Sequence, residues 1–255
     1  MTEQEWEQLL QIKTAGRDDS QSDGEHHPYE PTDYSVLERL ANSGYIRKKD
    51  TLVDYGSGKG RVSIFMTYQT GCRSIGIEYD ERLWQKAMVN AKSAAARSRV
   101  SFILADAAEY ELPDETDCCF FFNPFALHTL KRVLGQIFDS LQRRPRPLRI
   151  FFYYPYEDVE DFLNHHLRLM AEESIDCGDL FDGDEKEKSS STACEALYKV
   201  LTAGSDCEDN GPRCDGGYRV RRTGCDRRIR VGSLPVRRHP VPFSALADQA
   251  RAGLG

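Results

Sequence analysis

No run of eighteen apolar residues occurs in this chain of 255 residues, so it contains no stretch suited to cross a bilayer as a helix. The opening Met1-Thr2-Glu3-Gln4-Glu5-Trp6 has no basic region followed by an apolar one, and the expectation is a cytoplasmic protein with no membrane partner. Regular cysteine spacing is also missing, and eight cysteines in a chain this long do not make a disulfide framework. Cys118 and Cys119 are adjacent in an apolar run, where a strand would point them to opposite faces as reduced core residues. No Ser/His/Asp or metal-ligand arrangement stands out before residue 200. Cys207, Cys214, Cys225 and His239 match no standard zinc spacing, so no metal is expected. Lysine is absent after Lys199, although ten lysines lie up to that point. Residues 1–200 carry 35 acids against 24 Lys and Arg, so the main body has no overall basic field to attract nucleic acid. Arg143-Arg144-Pro145-Arg146-Pro147 is its one local basic cluster.

What the chain does contain is Leu52-Val53-Asp54-Tyr55-Gly56-Ser57-Gly58-Lys59-Gly60-Arg61, an apolar strand that runs into a glycine-rich turn and then a helix. Glycine has no Cβ and accepts positive φ, so such a turn lets backbone approach a ligand. The helix that follows points unpaired N–H groups at the same spot. Spacing discriminates among the nucleotide-binding loops. A dinucleotide fingerprint, Gly-x-Gly-x-x-Gly, would need glycine where Arg61 stands. A P-loop would need a leading glycine where Val53 stands and Ser or Thr where Gly60 stands. What remains is Asp-x-Gly-x-Gly-x-Gly, with Asp54, Gly56, Gly58 and Gly60 as its members.

Further strand ends follow in order. Arg73 to Asp80 reads as a second strand whose acid Glu78 is placed to accept hydrogen bonds from both ribose hydroxyls, with Asp80 capping the next helix, Leu83 to Ala95. Arg99 to Ala107 reads as a third, ending in Asp106. That residue can pair with Glu109 as a capping turn and, with Ala107, meet a ligand at the strand tip as well, and the ligand contact is the favoured reading. Thr116 to Phe122 is a continuous apolar run, as a buried parallel strand requires, and stops at Asn123-Pro124-Phe125. A long helix from Phe125 to Leu141, a fifth strand from Leu148 to Pro155 and a helix from Val159 to Met170 complete the alternation. The pattern predicts an α/β fold: a doubly wound, Rossmann-like, mostly parallel sheet with ligands at the carboxyl ends of its strands.

The glycine loop with Glu78 resembles the cofactor site of the class I S-adenosylmethionine (SAM) methyltransferases. Together with Tyr29-Glu30-Pro31-Thr32, Gly76-Ile77-Glu78 and Asn123-Pro124-Phe125, it is similar to a small group of bacterial members. The resemblance covers about residues 28–182. It implies SAM as cofactor, with Tyr29, Thr32, Asp54, Gly56, Gly58, Gly60, Glu78, Asp106, Ala107 and Asn123 around it. Tyr29 and Thr32 would either form a rigid entry turn or close over the carboxylate end of the cofactor. Asn123-Pro124-Phe125 looks like a shortened form of the Asn-Pro-Pro-Tyr/Phe signature of methyltransferases acting on planar amino nitrogens. In that reading Asn123, Pro124 and Phe125 are catalytic: a carboxamide oxygen and a backbone carbonyl hold an NH₂ group while Phe125 stacks on a flat target. In the other reading, Asn-Pro merely ends a strand and starts a helix. The acceptor stays open among protein, nucleic acid and small molecule, and a SAM-binding or interaction module without catalysis is the alternative function.

The ends of the chain are the least regular. Residues 1–27 read as an amphipathic helix, Glu5 to Lys13, and a polar linker, residues 28–182 as the SAM-binding domain, and residues 183–255 as an irregular, largely disordered tail. A class I sheet finishes with an antiparallel hairpin. Glu173 to Phe181 is one possible arm, Arg227 to Val231 the late run able to pair with it, and Ala193 to Leu201 a possible helix between them.

Overall fold

Every position of Thr51–Tyr55 (β1) is buried, Asp54 included, as a central strand covered on both faces requires. In the computed structural model, which describes residues 1–20, 26–95, 97–166, 171–176, 197–203 and 220–221, the other strands follow in chain order. They are Arg73–Glu78 (β2), Val100–Leu104 (β3), Cys118–Phe121 (β4), Leu148–Tyr153 (β5), Ala171–Asp176 (β6), Leu197–Ala203 (β7) and Val220–Arg221 (β8). They form one sheet in the order β3-β2-β1-β4-β5-β7-β6-β8. The first five strands are parallel. β7 runs antiparallel to both β5 and β6. Parallel neighbours need long crossovers, and helices supply most of them: Arg61–Thr70 (α3), Glu81–Ser93 (α4) and Leu127–Arg143 (α5). Glu3–Leu10 (α1) and Tyr34–Asn42 (α2) precede the sheet, and Glu157–His166 (α6) follows β5.

Side-chain alternation along the strands divides the core into two clusters. Leu52, Cys118, Phe120 and Phe151 pack with residues of α1 to α4. Val53, Cys119, Phe121 and Phe152 pack with α5, α6 and the segment around Leu112. The adjacent cysteines therefore enter different clusters, both free and buried, and burial pushes both thiols above their ordinary range. Tyr55, Phe121 and Phe152 stack across three neighbouring strands, with ring centroids 4.8 and 5.0 Å apart.

The doubly wound parallel sheet is as expected, and Asp80 caps α4 by accepting from the Arg82 N–H at 2.8 Å. Three expectations change. The segment read as a possible helix up to Leu201 is instead strand β7, because a short apolar run is consistent with either element until its pairing is known. β7 then completes the hairpin with β6, so the sheet continues beyond residue 182. The expected partner, 227–231, and the tail beyond 221 lie outside the described residues, as do the four tail residues considered for zinc. Finally, the stretch after α1 is more than a linker: Ile12 and Thr14 are buried, and Asp18 pairs with Tyr29 through two 3.0 Å backbone hydrogen bonds. No helix among the described residues is long and apolar enough to cross a membrane.

Candidate active site

Register aligns the carboxyl ends of the parallel strands, with Tyr55 opposite Ile77 and Phe121, and Glu78 opposite Leu104. The turn after β1 hangs from that row. The N–H groups of Gly56 and Ser57 both donate to the Ile77 carbonyl at 2.9 Å, and Gly56, Gly58 and Gly60 take φ of +73°, +55° and +88°. The Gly58 N–H donates to Glu78 Oε2 at 2.7 Å, while Glu78 Oε1 accepts from Tyr79 and Asp80 at 3.0 and 2.9 Å. Burial raises the Glu78 carboxyl above its usual range, and these N–H groups oppose the rise. Glu78 is thus first a brace for the glycine turn, with the remainder of its carboxylate on the cavity wall.

The cavity has a volume of about 980 Å³, counting the part open to solvent. Tyr29, Thr32, Asp54, Gly56, Gly58, Glu78, Asp106, Ala107, Pro124 and Phe125 all line it, so most of the expected site residues are brought together. Asp54 is 2% exposed and accepts from the Ser63 hydroxyl at 2.7 Å. Burial pushes its carboxyl up to about 7, against that hydrogen bond and with a smaller push from Glu78. Asp106 Oδ1 accepts from the Ala108 N–H at 2.8 Å, so it caps a turn and faces the cavity at once.

Gly60 and Asn123 are not among the lining residues. A Cβ on Gly60 would stand 2.5 Å from Phe102 Cζ, so this glycine serves the packing of α3 against β3 rather than the cavity. Asn123, at φ +40°, donates its side-chain N–H to the Tyr154 carbonyl, and its Oδ1 accepts from the Tyr156 N–H at 3.3 Å. The Pro124 carbonyl accepts from the His27 N–H at 3.2 Å. Both acceptors assigned from the sequence to a substrate NH₂ are therefore engaged within the protein. The helix-starting reading of Asn-Pro is also displaced, because α5 begins at Leu127 with Ala126 as its cap.

The N-terminal segment supplies one wall. Tyr29 lies against Gly58 and donates its hydroxyl to the Thr14 carbonyl at 2.7 Å. The two basic residues of the glycine motif hold this segment. Lys59 Nζ donates to the carbonyls of Ala15 and Gly16 at 2.8 and 2.7 Å, and stands over the Tyr29 ring. Arg61, 2% exposed, donates to Thr14 Oγ1 at 2.7 Å, to the Thr32 carbonyl at 3.0 Å and to Glu3 at 2.5 Å. These roles were missed in the sequence, where a basic residue in a glycine loop suggests a phosphate. Arg61→Met keeps the stem and removes the donors; it should lower stability by about 2–3 kcal/mol in chemical denaturation, since hydrogen bonds to a charged group are worth about that. A melting curve unchanged from wild type would show that the segment is held by other means.

The residues fit a nucleoside cofactor bearing positive charge. Gly56 and Gly58 lie on the cavity wall with Pro124 and Tyr29 packed where their Cβ atoms would stand, carboxylates surround the space, and the buried hydroxyls of Ser57 and Tyr55 have no hydrogen-bond partner among the described residues.

Residues 52–147 match the family model of a methyltransferase domain. The chain is 29% identical over 176 residues to the sterol 24-C-methyltransferase of Kluyveromyces lactis, covering 67% of this chain and 46% of that protein. It thus spans less than half the length of that curated relative. Among solved structures, the RNA methyltransferase of Salinibacter ruber in complex with S-adenosyl-L-homocysteine aligns at TM-score 0.43 and 22% identity, over 71% of this chain and 98% of the other. Precorrin-6y C5,15-methyltransferase from Geobacter metallireducens aligns at TM-score 0.49 and 18% identity, over 76% and 100%.

Proposed function

We propose that the protein is a class I, SAM-dependent methyltransferase that transfers a methyl group from SAM to a nitrogen of a planar amine or amide, a reading supported by the match of residues 52–147 to a methyltransferase-domain model and by the doubly wound sheet. The observation that carries the reading is the convergence of Gly56, Glu78, Asp106 and Pro124, from four strand ends, on one cavity. Asp54 and Glu78 would hold the cationic and ribose parts of the cofactor, Gly56 and Gly58 would let Pro124 and Tyr29 close against the turn beside it, and Asp106 with Ala107 would meet the adenine. When bound, SAM supplies an electrophilic methyl on a sulfonium. The protein positions the acceptor against it and excludes water.

The nitrogen assignment rests on Asn123-Pro124-Phe125. Phe125 is 5% exposed and forms part of the wall, a flat surface for a flat acceptor. The 3.3 Å bond from Tyr156 to Asn123 Oδ1 is long, and the Pro124 carbonyl has a second lone pair, so each can take an acceptor N–H. Asn123→Ala should leave S-adenosylhomocysteine binding within about twofold and slow methyl transfer by about 10²-fold, the usual cost of losing one oriented hydrogen-bonding group. Transfer at the wild-type rate would remove the nitrogen assignment.

The engagement of both acceptors inside the protein favours a second reading, a SAM-binding module without catalysis. Transfer from radiolabelled SAM into cell extract separates the two. Activity eliminates the inactive module, and prior treatment of the extract with nuclease or protease identifies the acceptor class. Calorimetry with S-adenosylhomocysteine tests the premise itself, which fails if there is no binding at millimolar ligand.

A further inference from the structure

His27 Nδ1 lies 2.7 Å from the backbone carbonyl oxygen of Asn123, and the His27 backbone N–H donates to the next carbonyl, that of Pro124, at 3.2 Å. A carbonyl only accepts, so the hydrogen bond at 2.7 Å requires a proton on Nδ1. In the neutral imidazole the lone pair then belongs to Nε2. Asn123 presents this carbonyl from φ +40°, a conformation uncommon outside glycine. Its carboxamide is tied at both ends to the residues after β5, Tyr154 and Tyr156, and Tyr154 itself has φ +48°. The Tyr156 ring stands 5.1 Å from the His27 ring, and His27 lines the same cavity as Gly58 and Phe125. Two left-handed residues at adjacent strand ends, cross-linked by one side chain, thus set the tautomer of a histidine on the cavity wall. Backbone strain of this kind persists where the surroundings over-determine it, as at functional sites.

We infer that His27 is the proton acceptor of the transfer, a catalytic residue whose Nε2 takes the proton that an N–H acceptor loses as its nitrogen is methylated. This rests on the methyltransferase reading and deepens it. The acceptor's lone pair forms the new bond to the methyl carbon, and the bond from that carbon to sulfur breaks with its electron pair left on sulfur. The acceptor's N–H proton passes to Nε2, forming an imidazolium that returns it to water. The acceptor class is thereby restricted to groups that carry an exchangeable proton, which excludes tertiary amines and thioethers.

Two measurements test it. Long-range ¹H–¹⁵N correlation spectra of the neutral His27 ring in the full chain, assigned by comparison with His27→Gln, should show protonated Nδ1 and bare Nε2. The opposite tautomer overturns the proposal without any assay of activity. With labelled SAM and cell extract as the probes, His27→Ala should bind S-adenosylhomocysteine as wild type does, transfer about 10²-fold more slowly or worse, and regain part of the rate on addition of free imidazole. A wild-type rate, or a loss that imidazole does not rescue, overturns the role of His27 and leaves the methyltransferase standing. Failure of the unmutated protein to bind S-adenosylhomocysteine removes the methyltransferase reading, and this inference with it.

Discussion

Gly58→Val is expected to abolish S-adenosylhomocysteine binding, with at least about a 100-fold loss of affinity by calorimetry, about 2.7 kcal/mol or more. A Cβ at this position would fall 2.2 Å from Tyr29 Cδ2 and 2.3 Å from Cε2, contacts that no side-chain adjustment of valine relieves. Tyr29 is not free to swing away, because its hydroxyl is bonded to the Thr14 carbonyl and its ring lies under Lys59 Nζ. The backbone adds its own penalty: φ +55° costs an ordinary L-residue about 1–2 kcal/mol, and a β-branched one is a genuine outlier there. The turn must therefore shift, which withdraws the Gly58 N–H from Glu78 and leaves a buried carboxylate short of a donor. Gly58→Ala should err in the same direction with a smaller loss. Wild-type affinity in Gly58→Val would show that the ligand does not depend on this turn, and the site would have to be sought elsewhere.

The second large effect concerns pH. Burial raises the Asp54 carboxyl to about 7, far above the unfolded value near 3.8. Between those values the folded protein holds a proton that the unfolded chain has released. The unfolded state then binds fewer protons, and stability falls as pH rises from about 4 to about 7. At about 1.4 kcal/mol per unit, the full shift corresponds to a loss of about 4 kcal/mol. Glu78, also raised by burial, acts with the same sign. Asp54→Asn keeps an acceptor for the Ser63 hydroxyl and removes the charge, so denaturant midpoints of the variant should vary less between pH 5 and pH 8 than those of the wild type. A positively charged ligand beside Asp54 reverses the preference and favours the ionised form. SAM should accordingly bind more tightly at pH 8 than at pH 6 to the wild type, with little change for Asp54→Asn. Equal pH dependence in the two proteins would mean that Asp54 is ionised throughout.

Most of the fold was legible along the chain because its signals are local. The apolar run before Gly56, the alternation of strands with amphipathic helices, and an acid at each of two successive strand ends are patterns within windows of ten to twenty residues, and the structure keeps all of them. Leu197–Ala203 was misread for the complementary reason. A seven-residue, mostly apolar stretch has no period long enough to distinguish helix from strand, and only pairing with β5 and β6 settles it. The cavity residues Glu78, Asp106, Gly56 and Gly58 were found because parallel strands bring their carboxyl ends together whatever the details. Gly60 looked equivalent in the motif, but its missing Cβ accommodates Phe102, a residue 42 positions away that no local pattern links to it.

Asn123 illustrates the same division at one residue. Its side chain carries the right atoms to receive an amino group, which is a property of composition, whereas the direction in which those atoms point depends on φ +40° and on the backbone after β5. Lys59 and Arg61 likewise are cations wherever they fall, but the carbonyls they take come from Ala15, Gly16 and Thr32, far earlier in the chain. Order and spacing of residues were enough to establish a doubly wound sheet with a glycine turn shaped for a nucleoside cofactor, since periodicity and φ preference act over short distances. The long-range closure of the N-terminal segment decided that Tyr29 and Thr32 wall the cavity, and the return of the glycine turn onto β2 decided how Glu78 is employed. Hydrogen bonds between partners dozens of residues apart are specified by packing of the whole domain, and no stretch of sequence encodes them alone.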